Sequence, residues 1–320
     1  MTGPVAPRAA GARVDLDAAP QQLLAWLESR LGGRVVSAVT QTGGMSPGPA
    51  ARITLEDGAR FFVKAVGSSL NPVTPRLFRR ERAILEQLPR VDYRPALVAA
   101  YDDGDWVALV LDDVEGTHPD LDDPDVLAAA RETVRRQTRE LTPDPLVTDG
   151  PDMVRTASRW ARAIHGSSDD ERAVLPPWWH ERSAELLERV DRLAHEVATE
   201  SHCHMDVRDD NLLARPDGTV VVLDWGMARP GPSWLDEVFL DLHAVHRAEF
   251  DERVRAIPSY GAALTADERD RAVTDLVLTL GTQLAILGQG DSHGLPHLSA
   301  FRRAESLRLL TGAARRLGVG

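Results

Sequence analysis

The chain has 320 residues, 43% of them hydrophobic and 27% charged, with a formal net charge of −12. That length supports two modest domains with sizeable cores, and the acidic balance excludes a nucleic-acid binder, which needs a basic face. No apolar run reaches membrane-spanning length, and the single cysteine, Cys203, excludes an internal disulfide and fits a reducing, cytoplasmic setting.

Residues 1–14 are rich in Ala, Pro and Gly with scattered Arg and lack a signal peptide's apolar segment, so they are expected to form a disordered leader. A helix is expected over 18–31, with Leu23, Leu24, Trp26, Leu27 and Leu31 along one side and Gly32-Gly33 as its stop. Strands follow at 34–40, 51–55 and 59–66, the last two joined at Glu56-Asp57-Gly58, a hairpin signal. Between the first and second lies a Gly/Pro-rich loop, 41–49.

The third strand carries Lys64. Of 37 basic residues 36 are arginine, and Lys64 is the one lysine. A bias toward arginine codons explains the excess and makes the exception informative: at 64 the chain keeps a compact ammonium on a flexible stem. A helix over 77–88 offers Glu81 and Glu86 as acidic partners for it, and apolar stretches at 96–101 and 106–111 complete a sheet. The acidic run that follows (Asp112, Asp113, Glu115, Asp120, Asp122, Asp123, Asp125) reads either as an attractor for a cationic substrate or, with more weight, as a solvated turn. Helices are expected at 124–141, 152–166 and 179–199, with Trp178-Trp179 packing inward at the start of the third and 166–172 as an exposed loop.

The informative stretch is 201–226, SHCHMDVRDDNLLARPDGTVVVLDWG. The turn Arg215-Pro216-Asp217-Gly218 leads into a Val-rich strand, 219–223, so a hairpin should return Asp224 to the neighbourhood of Asn211. An oxygen acceptor at Asp206 and two further oxygen ligands, Asn211 and Asp224, are what phosphoryl transfer from ATP requires: one group orients and deprotonates a hydroxyl while two hold Mg²⁺. His202-Cys203-His204 lacks the ligand spacing of a metal site, as do His243 and His246, and His204 is read as a brace for the loop. Helices at 235–249, 265–288 and 298–317 close the chain.

The pattern His-x-Asp-x-x-x-x-Asn followed by Asp-Trp-Gly resembles the aminoglycoside phosphotransferase and choline kinase branch of the kinase-like superfamily, and Asp-x-Arg-x-Asp-Asn with Gly-Pro-x-Trp-Leu-Asp is similar to its actinobacterial members. The resemblance spans about 34–240. It implies a two-lobe α+β fold of the protein-kinase type: an N-lobe, 15–113, with an antiparallel sheet and a helix, and a mostly helical C-lobe, 114–320. Lys64 would contact ATP phosphates, with Glu81, in the family's Arg-Glu-x-x-x-Leu pattern, fixing it. Gly44-Met45-Ser46-Pro47 resembles the family's nucleotide loop, which implies that the Met45 and Ser46 amides lie over the β-phosphate. The carbonyl of Asp112 and the amide of Val114 would hold adenine, and Asp236 would cap the catalytic loop.

The sequence departs from the family at Met205, where Gly is frequent, and at Arg208, which either touches the transferred phosphate or pairs with Asp209, Asp236 or Asp241. The segment after Asp224 is too short to bind a peptide, which points to a small-molecule hydroxyl acceptor rather than a protein. Net acidity favours an amine-bearing acceptor of the aminoglycoside kind, with another amino sugar, choline or an amino alcohol as the alternative. A catalytically idle ATP-binding protein is a further reading, opposed by the intact set Lys64, Asp206, Asn211 and Asp224. The expected state is a monomer that uses ATP and Mg²⁺.

Overall fold

The computed structural model describes residues 13–148, 150–260, 264–290, 295 and 297–319. The leader expected over 1–14 therefore lies outside the described residues up to 12. Arg13 is ordered, its guanidinium donating to the Gly43 carbonyl and, at 3.4 Å, to that of Gly48.

Helix α1 (Gln21–Leu31) ends where Gly32 turns left-handed at φ 76°, and it lays Leu23 and Leu27 on one face of a five-stranded antiparallel sheet. The sheet comprises β1 (Val35–Thr40), β2 (Ala50–Leu55), β3 (Arg60–Gly67), β4 (Leu97–Asp102) and β5 (Trp106–Asp112), in the order β1-β2-β3-β5-β4. Along β3 the two faces divide by alternation. Val63 and Ala65 join the cluster under α1, and Phe62 and Lys64 turn to the other side. Helix α2 (Thr74–Leu85) starts three residues before the apolar pattern begins, because the Asn71 carboxamide accepts from the Val73 and Thr74 amides and Pro75 suits a first turn.

The remainder is mostly helical: α3 (Pro124–Glu140), α4 (Met153–His165), α5 (Asp169–Arg172), α6 (Pro177–Glu181) and α7 (Ser183–Glu196). The loop expected at 166–172 contains α5, closed by a Ser168/Glu171 capping box. The single helix expected over 179–199 is two, and the break at Arg182 leaves Trp179 buried, its indole donating to Thr282 at 3.2 Å. Two short ribbons follow: β6 (Ser201–Cys203) pairs with β9 (Arg229–Gly231), and β7 (Leu212–Ala214) with β8 (Val220–Val222). The first pair was not expected, since three residues with Pro230 and Gly231 give no period to read.

Helix α8 (Leu235–Asp241) is buried along its whole length, carboxylates included. Arg135 reaches Glu237 at 2.9 Å, and Arg131 reaches Asp241 at 2.8 Å. Then comes α9 (Ala248–Arg255), where one helix over 235–249 was expected. No Gly or Pro interrupts the sequence there. Arg253 lies 3.2 Å from Asp241, and twelve residues of continuous helix would hold them roughly 18 Å apart, so the ion pair requires the bend. The long pair α10 (Ala266–Leu287) and α11 (Leu298–Leu317) completes the chain. No helix among the described residues is long and apolar enough to cross a membrane.

The two halves meet around the loop 43–49, which folds down onto β3. Pro49 accepts the Ala65 amide at 2.9 Å, and a Cβ built on Gly48 would lie 1.9 Å from the Ala65 carbonyl oxygen. Only glycine allows this approach. Gly48→Ala should therefore lift the loop and destabilise the protein by about 1–3 kcal/mol, read as a lower urea midpoint. An unchanged midpoint would mean that the loop stands away from β3.

Candidate active site

Lys64 points from β3 into the gap between the sheet and the helical half. Its Nζ lies 2.5 Å from Glu81 Oε2, 3.1 Å from Asp224 Oδ1 and 5.0 Å from the Phe78 ring centroid. Glu81 is the α2 carboxylate that faces it, and Glu86 instead pairs with Arg82 at the surface. Burial pushes the Glu81 carboxyl up to about 7, against the pull of Lys64 and with the push of Asp224. The Asp224 side chain is 56% exposed to the cleft. The cleft walls desolvate it, but the charge and hydrogen bond of Lys64 outweigh that effect and hold its carboxyl below the ordinary range.

The loop bearing Asp206 has little regular structure and is held by side chains. Asp236, 3% exposed, accepts the His204 amide at 2.8 Å, the Met205 amide at 2.9 Å and the Gln137 carboxamide at 3.0 Å. His204 stands edge-on to Trp225, with Nε2 2.8 Å from the Leu223 carbonyl, and its Nδ1 accepts the Asp206 amide at 3.3 Å. The ring thus carries its proton on Nε2 and ties the loop to the strand leading into Asp224.

The β7–β8 hairpin does what its sequence pattern requires. Leu212 pairs with Val222, and the Leu223 amide donates to the Asn211 carbonyl at 2.8 Å, which sets Asn211 beside Asp224. Both Asn211 amide protons go to Asp206, one to the backbone carbonyl and one to Oδ2, each at 2.9 Å. This leaves the Asn211 amide oxygen as an acceptor beside the Asp224 carboxylate. One amide oxygen and one carboxylate are hard donors that fit Mg²⁺, which takes its remaining oxygens from phosphates and water. The Asp206 carboxyl is pushed above its ordinary range by burial, with Arg208 opposing.

A cleft of about 430 Å³ runs between the halves and is lined by Met45, Ser46, Lys64, Asp112, Val114, Asn211 and Asp224. Apolar side chains of Phe62, Leu111, Leu213 and Leu223 form its walls. The Val114 carbonyl is taken by Arg52, and the Val114 amide has no acceptor among the described residues. Glu81 lies behind Lys64, and Asp206 lies one hydrogen bond beyond Asn211.

Of the pairings offered for Arg208, those with Asp236 and Asp241 are not made: its guanidinium clasps Asp210 (Nε–Oδ1 3.1 Å), approaches Asp206 Oδ1 at 3.4 Å and stacks on Phe301 at 4.8 Å. Asp236 is occupied by backbone amides and Asp241 by Arg131 and Arg253. The acidic run after β5 is a solvated turn: Glu115, Asp120, Asp122, Asp123 and Asp125 are exposed, with surface ion pairs from Glu115 to Arg60 and from Asp122 to Arg247, while Asp113 pairs with Arg52 and Arg60. Arg13, which lines the cleft and feels the Asp224 charge, was missed. A lone Arg in an Ala/Pro/Gly stretch carries no signal of its own.

A model of the phosphotransferase enzyme family matches residues 48–270. No curated protein matches the chain. Among solved structures, choline kinase LicA from Streptococcus pneumoniae superposes with a TM-score of 0.62 at 14% identity, covering 92% of this chain and 99% of that one. Its complex with AMP gives 0.59 at 13% identity, covering 93% and 100%. A gentamicin complex of APH(2")-IIa gives 0.51 at 14% identity, covering 96% and 98%. At these identities the likeness is one of fold.

The Glu81 environment has a pH consequence. Its carboxyl titrates near 7 when folded against an ordinary value of 4.5, so between those values the folded state binds more protons than the unfolded one. Stability must then fall as pH rises through that window. Glu81→Gln should remove this slope. Chemical denaturation of both proteins from pH 4.5 to 8 tests it, and parallel profiles would refute the assignment.

Proposed function

The chain belongs to the phosphotransferase enzyme family, and on that premise we propose that it moves the γ-phosphate of ATP to a hydroxyl of a small, amine-bearing molecule. The observation that carries the reading is the cluster at the cleft: one ammonium, Lys64, joined to Glu81 and Asp224, with Asn211 hydrogen-bonded to Asp206 beside them.

Adenine would enter between Phe62 and Leu111 on one side and Leu213 and Leu223 on the other, with the free Val114 amide and the Asp112 carbonyl at its edge. Lys64 would meet the α- and β-phosphates, and the Met45 and Ser46 amides would cover the β-phosphate. Arg13, pinned at the same loop, adds a positive charge near the phosphate end. Asn211 and Asp224 would hold Mg²⁺, which when bound neutralises charge on the β- and γ-phosphates.

Asp206 has the geometry of a base. Asn211 fixes one carboxylate oxygen at 2.9 Å, Arg208 approaches the other at 3.4 Å, and the side chain remains 34% exposed toward an incoming hydroxyl. The acceptor oxygen bonds to the γ-phosphorus as its proton passes to Asp206 and the bond to the β–γ bridging oxygen breaks, releasing ADP. Much of the rate gain would come from positioning and charge neutralisation, since the transition state is loose.

For the acceptor, support comes from the net charge of −12, which favours approach of a cation. The solved structures of like fold add to it: one is a choline kinase and another was captured with gentamicin, and choline and gentamicin are both cationic alcohols. An aminoglycoside-like antibiotic is the first choice, which would make the activity one of antibiotic resistance.

The test is ADP release from Mg²⁺-ATP across aminoglycosides, amino sugars, choline and amino alcohols. Asp206→Asn should lower turnover by about 10²–10⁴-fold while ATP still raises the melting temperature as in the wild type. Undiminished turnover in the variant would remove Asp206 from the mechanism. ATP stabilisation with no ADP release for any acceptor would favour an idle nucleotide binder.

A further inference from the structure

His118 lies at the edge of the cleft, four residues beyond Val114, with both its backbone and its ring held in place. The segment leading to it is laid against β7. The Thr117 amide donates to the Ala214 carbonyl at 3.0 Å, and the Ala214 amide donates back to the Thr117 carbonyl at 2.8 Å. Gly116 permits this approach, since an added Cβ there would lie 2.7 Å from the Ala214 carbonyl oxygen. The ring is anchored on the same strand, with Nδ1 3.0 Å from the Leu212 carbonyl. A carbonyl oxygen only accepts, so Nδ1 carries the proton and Nε2 of the neutral ring is an acceptor.

Nε2 makes no hydrogen bond among the described residues and stands beside the nucleotide loop, 3.6 Å from where a Cβ on Gly43 would lie. Its position in the cleft decides what it can meet. Val114, at the adenine edge, is four residues away, a reach of at most about 14 Å. Gly43 precedes by two residues the Met45 amide assigned to the β-phosphate. The nitrogen therefore lies between the two ends of the nucleotide, where the sugar must pass. A nucleotide offers two hydrogen-bond donors there, the 2′ and 3′ hydroxyls. A phosphate oxygen has no proton to give to a neutral ring nitrogen, and a hydroxyl does.

We propose that His118 reads the sugar of the bound nucleotide, with Nε2 accepting a hydrogen bond from a ribose hydroxyl. This role presupposes that the cleft holds ATP, and it adds a preference for a ribonucleotide over a deoxyribonucleotide. The Leu212 carbonyl fixes the tautomer, so the acceptor is formed before the ligand arrives and little ordering is left to binding. Leu212 directly follows Asn211, so the hairpin that brings Asn211 to Asp224 also orients the ring that meets the sugar.

The experiment is calorimetric titration of the full chain with Mg²⁺-ADP, 2′-deoxy-ADP and 3′-deoxy-ADP. Wild type should bind ADP about 3–10-fold more tightly than at least one of the two deoxy forms, and the weaker form identifies the hydroxyl. His118→Ala should bind ADP no better than wild type binds that deoxy form, and the preference should vanish. His118→Asn keeps a donor for the Leu212 carbonyl but has no atom at the place of Nε2, so it should lose the preference as well. Equal binding of all three by wild type, or a preference that survives in both variants, would overturn the role of His118 while leaving the ATP site standing. So would a loss in both variants that is the same for ADP and the deoxy forms, since the ring would then be serving the phosphates or the segment's shape. No ADP binding by wild type would overturn the ATP reading together with it.

Discussion

A single buried ammonium holds the two halves of this molecule in register. Lys64, 8% exposed, comes from the sheet, Glu81 from α2 and Asp224 from the turn after β8. Neither Lys64 nor Glu81 is tolerable in that place alone. A buried cation needs a counter-charge, and two carboxylates this close need a cation between them. The contact therefore fixes the rotation of α2 and the separation of the cleft walls together. It also explains why an arginine-rich chain keeps one lysine here: a point charge can serve carboxylates from two directions and still sit over Phe78, where a planar fork would commit to one.

The loop between His204 and Asn211 solves a different problem. It lacks a ladder of its own, so its backbone donors must be satisfied by side chains. Asp236 takes two of them and His204 a third, and the other ring nitrogen of His204 is bonded to the Leu223 carbonyl. Asn211 then spends both amide protons on Asp206. The carboxylate at 206 is thus placed from α8 and the hairpin as well as by its near neighbours His204 and Arg208. The ion pairs from α3 that neutralise Glu237 and Asp241 are part of the same support, since α8 could not be buried without them.

What the sequence made legible followed from period and spacing. The five strands and the hairpin that returns Asp224 to Asn211 rest on local patterns that the structure keeps, whereas Glu81 rather than Glu86 as the residue facing Lys64 was implied by the resemblance. The bend after Asp241 and the split at Arg182 left no local trace, because each follows from a distant partner: Arg253 and Arg131 in one case, Thr282 in the other. The pairing of Arg208 with Asp210 went unseen for the same reason. The stacking partner of Arg208, Phe301, lies on the last helix, and Asp210 is only two residues away, a separation that helix geometry would not pair. Arg13 was hidden by composition, since arginine is the ordinary cation of this chain and one more attracts no notice.

Two non-glycine residues among those described have positive φ, Met205 at 72° and Asp224 at 60°. They flank the site, one just before Asp206 and one in contact with Lys64. The left-handed region costs an L-residue about 1–2 kcal/mol, and such conformations persist only where the surroundings over-determine them. The Met205 amide is held by Asp236, and the Asp224 carboxylate by Lys64. Glycine, frequent at position 205 in the family that the motif resembles, would avoid the first cost entirely. Met205, however, is only 5% exposed and belongs to the main core, and burying such a side chain contributes about 1.5–3 kcal/mol. The methionine thus offsets its own strain by packing, and the loop keeps its shape without the glycine.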